Sequence, residues 1–118
     1  AAFWIPEYGS SDDPEQFEYL HAYSPYHRVE HGTHYPAVMF HTGDADTRGD
    51  PLHARKMCAL VQAATTSGLP VVLRYDRKLG HFGGRPVSEH AKVQQTTLGL
   101  VMAQVGLPLE GSDAWASE

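Results

Sequence analysis

Two short apolar runs constrain the fold of this chain more than any other feature. PAVMFHTG spans residues 36–43 and PVVLRY spans residues 70–75. Neither alternates polar with apolar residues, so each reads as a strand covered on both faces, the habit of parallel rather than antiparallel sheets. The segment between them carries Met57, Leu60, Val61 and Ala64 at the i, i+3, i+4, i+7 spacing of an amphipathic helix. Asp50 stands where a cap belongs and Pro51 at the first helical position, while Gly68 and Pro70 mark the end. Strand, crossover helix and strand imply a right-handed parallel unit. Two parallel strands make a poor sheet alone, and these are too apolar to serve as exposed edges. The expectation is the end of a larger sheet whose other strands lie elsewhere.

Helices flank that unit. DDPEQFEYLHAY has Asp13 as cap, Pro14 at the first helical position and Gln16 completing a capping-box pattern, with Phe17, Leu20 and Tyr23 along one stripe. Pro25 ends it, because the residue before a proline avoids the helical region. A last helix is predicted from about Ser88 to about Val105, with Gly106 and Pro108 as stop signals. The predicted order is helix, strand, helix, strand, helix over residues 1–108, followed by a frayed tail at 109–118. At 118 residues this is at most one small domain. The opening AAFW, without a methionine, reads as a cut or processed edge.

Composition narrows the function classes. A net charge of −5, with the basic residues scattered, argues against nucleic-acid binding. No stretch approaches the roughly 20 apolar residues of a membrane span, and no secretory leader is visible. The single Cys58 has no second thiol for a disulfide or metal motif and reads as a small buried hydrophobe. No cofactor motif is found. His27, His31 and His34 lie close together, but HRVEHGTH matches no zinc spacing, so metal binding stands only as an alternative. A self-associating α/β piece without activity is another.

In open α/β sheets chemistry gathers at the carboxyl ends of the strands. Two loops occupy that place. One carries Asp44, Asp46 and Arg48; the other carries His81 among Gly80, Gly83 and Gly84. An acid after one strand and a histidine after the next follow the chain order of an α/β-hydrolase triad: serine, acid, histidine. Asp44 reads as a turn residue bonding its own backbone. The cap role accounts for Asp50.

Four ordered segments, FWIPEYG, YSPYHRV, YPAVMFHTGDADTRGDPLHARKMCALVQ and GHFGG, resemble the C-terminal part of the catalytic domain of the prolyl oligopeptidase family of serine peptidases. The likeness runs from Phe3 to about Val105. It implies the C-terminal portion of an α/β-hydrolase fold, lacking the earlier strands. It implies that Asp46 is the triad acid and His81 the base. It also implies that Arg48 binds a substrate carbonyl, that Trp4 stacks on the substrate's proline ring and that Tyr8 lines the same pocket. A plain loop role for Arg48 and plain core roles for Trp4 and Tyr8 are the structural alternatives. Other α/β-hydrolases, such as an acyl-peptide hydrolase, dipeptidyl peptidase or esterase, are the broader relatives. The family is commonly cytosolic or periplasmic.

Two positions depart from the family pattern. Gly49 stands where valine is usual, and is expected to loosen the loop presenting Asp46. Phe82 replaces a small residue after the histidine. The nucleophile is also missing: none of Ser10, Ser11, Ser24, Ser67, Ser88, Ser112 or Ser117 sits in a G-x-S-x-G elbow. The resemblance therefore implies a partner segment carrying that serine and a proline-containing peptide as substrate.

Overall fold

In the computed structural model, residues 4–77, 80–81 and 86–107 are described. Phe82, Gly83, Gly84, Pro108 and the 109–118 tail lie outside them. The chain divides into two compact units after His81.

The first unit is built around the parallel pair anticipated from the apolar runs. Strand β1, Val38–Gly43, pairs with β2, Val71–Asp76, in the register Val38–Val71 to Gly43–Asp76. The crossover is helix α3, Pro51–Ala64. Its cap works as the sequence implies: the Asp50 carboxylate accepts from the Leu52 amide at 2.9 Å, and Pro51, which lacks an N–H, opens the helix at no cost. Cys58 and Val61 turn inward and meet Val71, giving the buried centre, and Ala64 of the same helix is buried too. Val29, Tyr35, Phe40, Met57 and Leu73 pack around it, half-buried. Burial in that apolar setting pushes the Cys58 thiol above its ordinary pKa, in keeping with an inert core residue. Gln62 Nε2 donates to the Val71 carbonyl at 2.7 Å and ties the helix to the start of β2. At the far end of α3, the Gly32 amide donates to the Ala64 carbonyl at 2.8 Å, and the Thr66 amide to the Thr33 carbonyl at 3.0 Å.

Upstream lie two elements the periodicity did not reveal and one that it did. Helix α1, Ile5–Tyr8, is a single turn closed by Gly9, whose amide donates to the Ile5 carbonyl at 2.9 Å. Gly9 adopts φ 97°, and a Cβ there would collide with the Tyr19 hydroxyl, so the position requires glycine. Helix α2, Pro14–Tyr23, begins at Asp13, whose Oδ1 accepts from the Glu15 and Gln16 amides at 3.0 and 3.1 Å. The capping box closes on only one side. Gln16 Oε1 accepts instead from the Ser10 amide at 2.7 Å, because the Gly9 turn brings that amide within reach. Phe17 and Tyr23 remain 47% and 60% exposed, so the α2 stripe is not buried by the described residues. Pro25–Arg28, expected to be a plain turn, forms one 3-10 turn.

The second unit contributes α4, Val87–Val105, which begins one residue earlier than predicted, after Pro86. Gly106 ends it in the left-handed conformation, φ 72°, with its amide bonded to the Met102 carbonyl. No helix among the described residues is long and apolar enough to cross a membrane.

Candidate active site

At the carboxyl ends of β1 and β2 the chain leaves the sheet in two loops that meet. The β1 ladder is prolonged by one bond, from the Asp44 amide to the Asp76 carbonyl at 3.0 Å. A tight turn follows, in which the Asp46 amide donates to the Gly43 carbonyl at 3.3 Å. That turn presents the Asp46 carboxylate to two backbone donors, the Arg48 and Gly49 amides, each 2.9 Å from Oδ1. The carboxylate thus caps its own loop in the manner typical of aspartate in turns. Gly49 contributes to this turn through its backbone. Its amide fixes the acid, and a Cβ at this position would meet only Asp46 Oδ2, at an ordinary 3.7 Å.

The His81 ring reaches the same carboxylate from the other loop. Its Nδ1 stands 2.9 Å from Oδ2 and 3.1 Å from Oδ1 of Asp46. The Asp46 side chain is 14% exposed and that of His81 41%. The Gly49 amide first, then the His81 ring and the Arg48 amide, lower the Asp46 pKa below the ordinary carboxylate value, outweighing an opposing contribution from burial. Asp46 is accordingly ionised at neutral pH. A carboxylate can only accept, so Nδ1 carries the proton in this pair.

Trp4, the N-cap residue of α1, and Tyr8, its last residue, form a second grouping. Their ring centroids are 5.8 Å apart with planes tilted by 52°, and they are 41% and 51% exposed. Neither is a buried core aromatic. The neighbouring Glu7 raises the Tyr8 pKa, so the phenol keeps its proton at neutral pH. The structure therefore places Asp46, Arg48 and His81 at one loop pair, and Trp4 with Tyr8 on one helical turn.

The histidine-rich segment takes other partners. His27 Nδ1 lies 2.9 Å from Ser24 Oγ, and its ring lies 4.6 Å from that of His21. Among the described residues, no group of three or more His, Cys, Asp or Glu side chains is placed to hold a metal ion. Sequence reasoning passed over His41, Arg74 and Asp76, which sit beneath the two loops. Polar residues inside apolar strands were the available signal, but only the strand register shows that they share one face.

Comparison with known proteins gives the family. The model of the prolyl oligopeptidase family matches residues 1–106. The prolyl endopeptidase of Elizabethkingia miricola is 36% identical over 107 residues, covering 90% of this chain and 15% of that protein. An uncharacterised peptidase of Sinorhizobium fredii is 42% identical over 91 residues, covering 77% of this chain and 12% of its own length. A solved prolyl endopeptidase structure superposes with a TM-score of 0.83 at 37% identity, over 89% of this chain and 16% of that one. The chain thus spans a small fraction of the length of these relatives, and its α/β architecture corresponds to part of an α/β-hydrolase fold. On sequence and structure alike, the chain belongs to the prolyl oligopeptidase family.

Proposed function

We propose that this chain is the part of a proline-specific serine peptidase that supplies the triad acid and base, together with part of the proline pocket. The observation that carries the reading is the 2.9 Å contact between His81 Nδ1 and the Asp46 carboxylate. With Nδ1 protonated, Nε2 is the basic nitrogen. It takes the proton from a serine hydroxyl as that oxygen attacks the scissile carbonyl, and later returns it to the leaving amine. Asp46 stays ionised throughout, holds the ring in this tautomer and stabilises the imidazolium. Its two amide donors keep the carboxylate in place while the charge on His81 changes.

The half-exposed Trp4 face suits a flat pyrrolidine ring, which loses little entropy on stacking. Tyr8 lines the same pocket, and the Arg48 guanidinium fixes a peptide carbonyl. The serine and the oxyanion donors come from a segment outside these 118 residues, so the chain alone does not hydrolyse peptides. The exposed apolar side chains of α2 and β2, such as Phe17, Tyr23, Val72 and Tyr75, support further strands packing against this part.

The test is hydrolysis by the complete peptidase of two peptides differing only in proline or alanine before the cleaved bond. A preference for proline is expected, with kcat falling by about 10⁴-fold or more in His81→Ala. Equal rates on both peptides would remove the proline assignment, and an active His81→Ala enzyme would remove the base.

A further inference from the structure

The two loops do not leave the sheet independently. His41 of β1 lies opposite Arg74 of β2, and Asp76 is two residues further along the same face. His41 Nε2 reaches diagonally across the strands to Asp76 Oδ2 at 2.6 Å, while Arg74 Nη2 holds Asp76 Oδ1 at 3.2 Å. A carboxylate has no proton to give, so His41 donates. The Asp76 main-chain carbonyl is at the same time the acceptor for Asp44. Asp76, the last residue of β2, is therefore bonded to β1 through its side chain and to the residue just after β1 through its backbone. His41 precedes Asp46 by five positions, and Asp76 precedes His81 by the same interval.

We propose that His41 and Asp76 form a cross-strand latch that positions Asp46 and His81: it fixes the separation of the two strand ends from which the acid and the histidine are presented. The inference rests on the catalytic reading above for its consequence, though not for its geometry. Two loops that meet at a carboxylate–imidazole contact need a common base. Without the latch, the strand end that leads to His81 loses a side-chain tie to β1, and hydrogen-bond geometry is lost over displacements of about 1 Å. The local turn would still hold Asp46 through the Arg48 and Gly49 amides. The latch consequently acts on the His81 contact and not on the turn. The side-chain exposures of 31% for His41, 20% for Asp76 and 18% for Arg74 place it at the rim of the sheet, where His41 can be replaced without opening the core.

The experiment is a double-mutant cycle read by NMR in the full chain, using ¹³C-carboxyl titration of Asp46 and the Nδ1 proton signal of His81. His41→Leu is expected to shift the Asp46 midpoint upward and to lose the Nδ1 signal. His41→Gln, which keeps an N–H donor, is expected to restore both. In a His81→Leu background, His41→Leu is expected to leave Asp46 unmoved, because the contact it controls is already gone. Asp76→Asn provides a second entrance to the same cycle should His41→Leu fail to fold. An Asp46 midpoint that ignores His41→Leu in the otherwise unaltered chain overturns the latch, as does an equal shift in both backgrounds. In the complete peptidase, His41→Leu is expected to lower kcat by about 10–100-fold with little change in KM. A normal NMR cycle with unchanged kcat would leave the latch standing and remove the catalytic reading.

Discussion

At the scale of single residues, the account turns on one carboxylate. The Asp46 pKa is lower folded than unfolded, so its contribution to stability is complete above the ordinary carboxylate range. That contribution is lost as pH falls through the lowered folded value. Urea-unfolding midpoints measured from neutral pH down to about pH 3 should decline for the unaltered chain. Asp46→Asn should be less stable at neutral pH and should decline less steeply on acidification; an identical slope would show that the carboxylate gains nothing from its amides and ring. Gly49 gives a second test. Its φ lies outside the left-handed region and a Cβ there would make only an ordinary contact with Asp46, so Gly49→Ala should raise stability by about 0.4–1 kcal/mol through the unfolded state. A loss of that size in the same unfolding experiment would mean that the loop needs glycine.

At the scale of elements, the strongest local signals were steric and periodic. Asp13–Pro14 and Asp50–Pro51 each announced a helix start, and both aspartates accept the expected amides. The α3 stripe identified the faces that pack on the strands, since Val61 and Ala64 are buried. Helix α1 and the Pro25–Arg28 turn were not legible because four residues complete no period, and their prolines fit a turn equally well. The Asp46–His81 pairing was legible only as chain order and family resemblance; its distances depend on the fold of a chain stretch in which the two lie 35 positions apart. The His41–Asp76 bond was not legible, because cross-strand register cannot be counted along one chain. The helix reading makes two demands. Asp50→Ala should cost about 1 kcal/mol through loss of the cap. Val61→Ala should cost about 2 kcal/mol from lost burial and the cavity left behind. Chemical denaturation followed by circular dichroism measures both, and a neutral Val61→Ala would contradict the position assigned to the core.

At the scale of the whole molecule, the buried centre is small and much apolar surface faces outward, including Phe17 and Tyr23 on α2 and Val72 on β2. Among the described residues the two-stranded parallel sheet has no third strand on either edge, and surface of this kind associates. Light scattering coupled to size exclusion should therefore give a mass that rises with concentration when the chain is alone; a clean monomer throughout would contradict pairing through the strand edge. On the proposed function, the imidazole of His81, held by Asp46, serves a hydroxyl supplied from outside residues 1–118. Labelling with a serine-directed fluorophosphonate, followed by peptide mapping, tests it most directly. In the complete peptidase the adduct should map to a serine outside this sequence and be lost in His81→Ala, while the chain alone should take up none. A stoichiometric adduct on any serine of these 118 residues, or undiminished labelling in His81→Ala, would contradict the account.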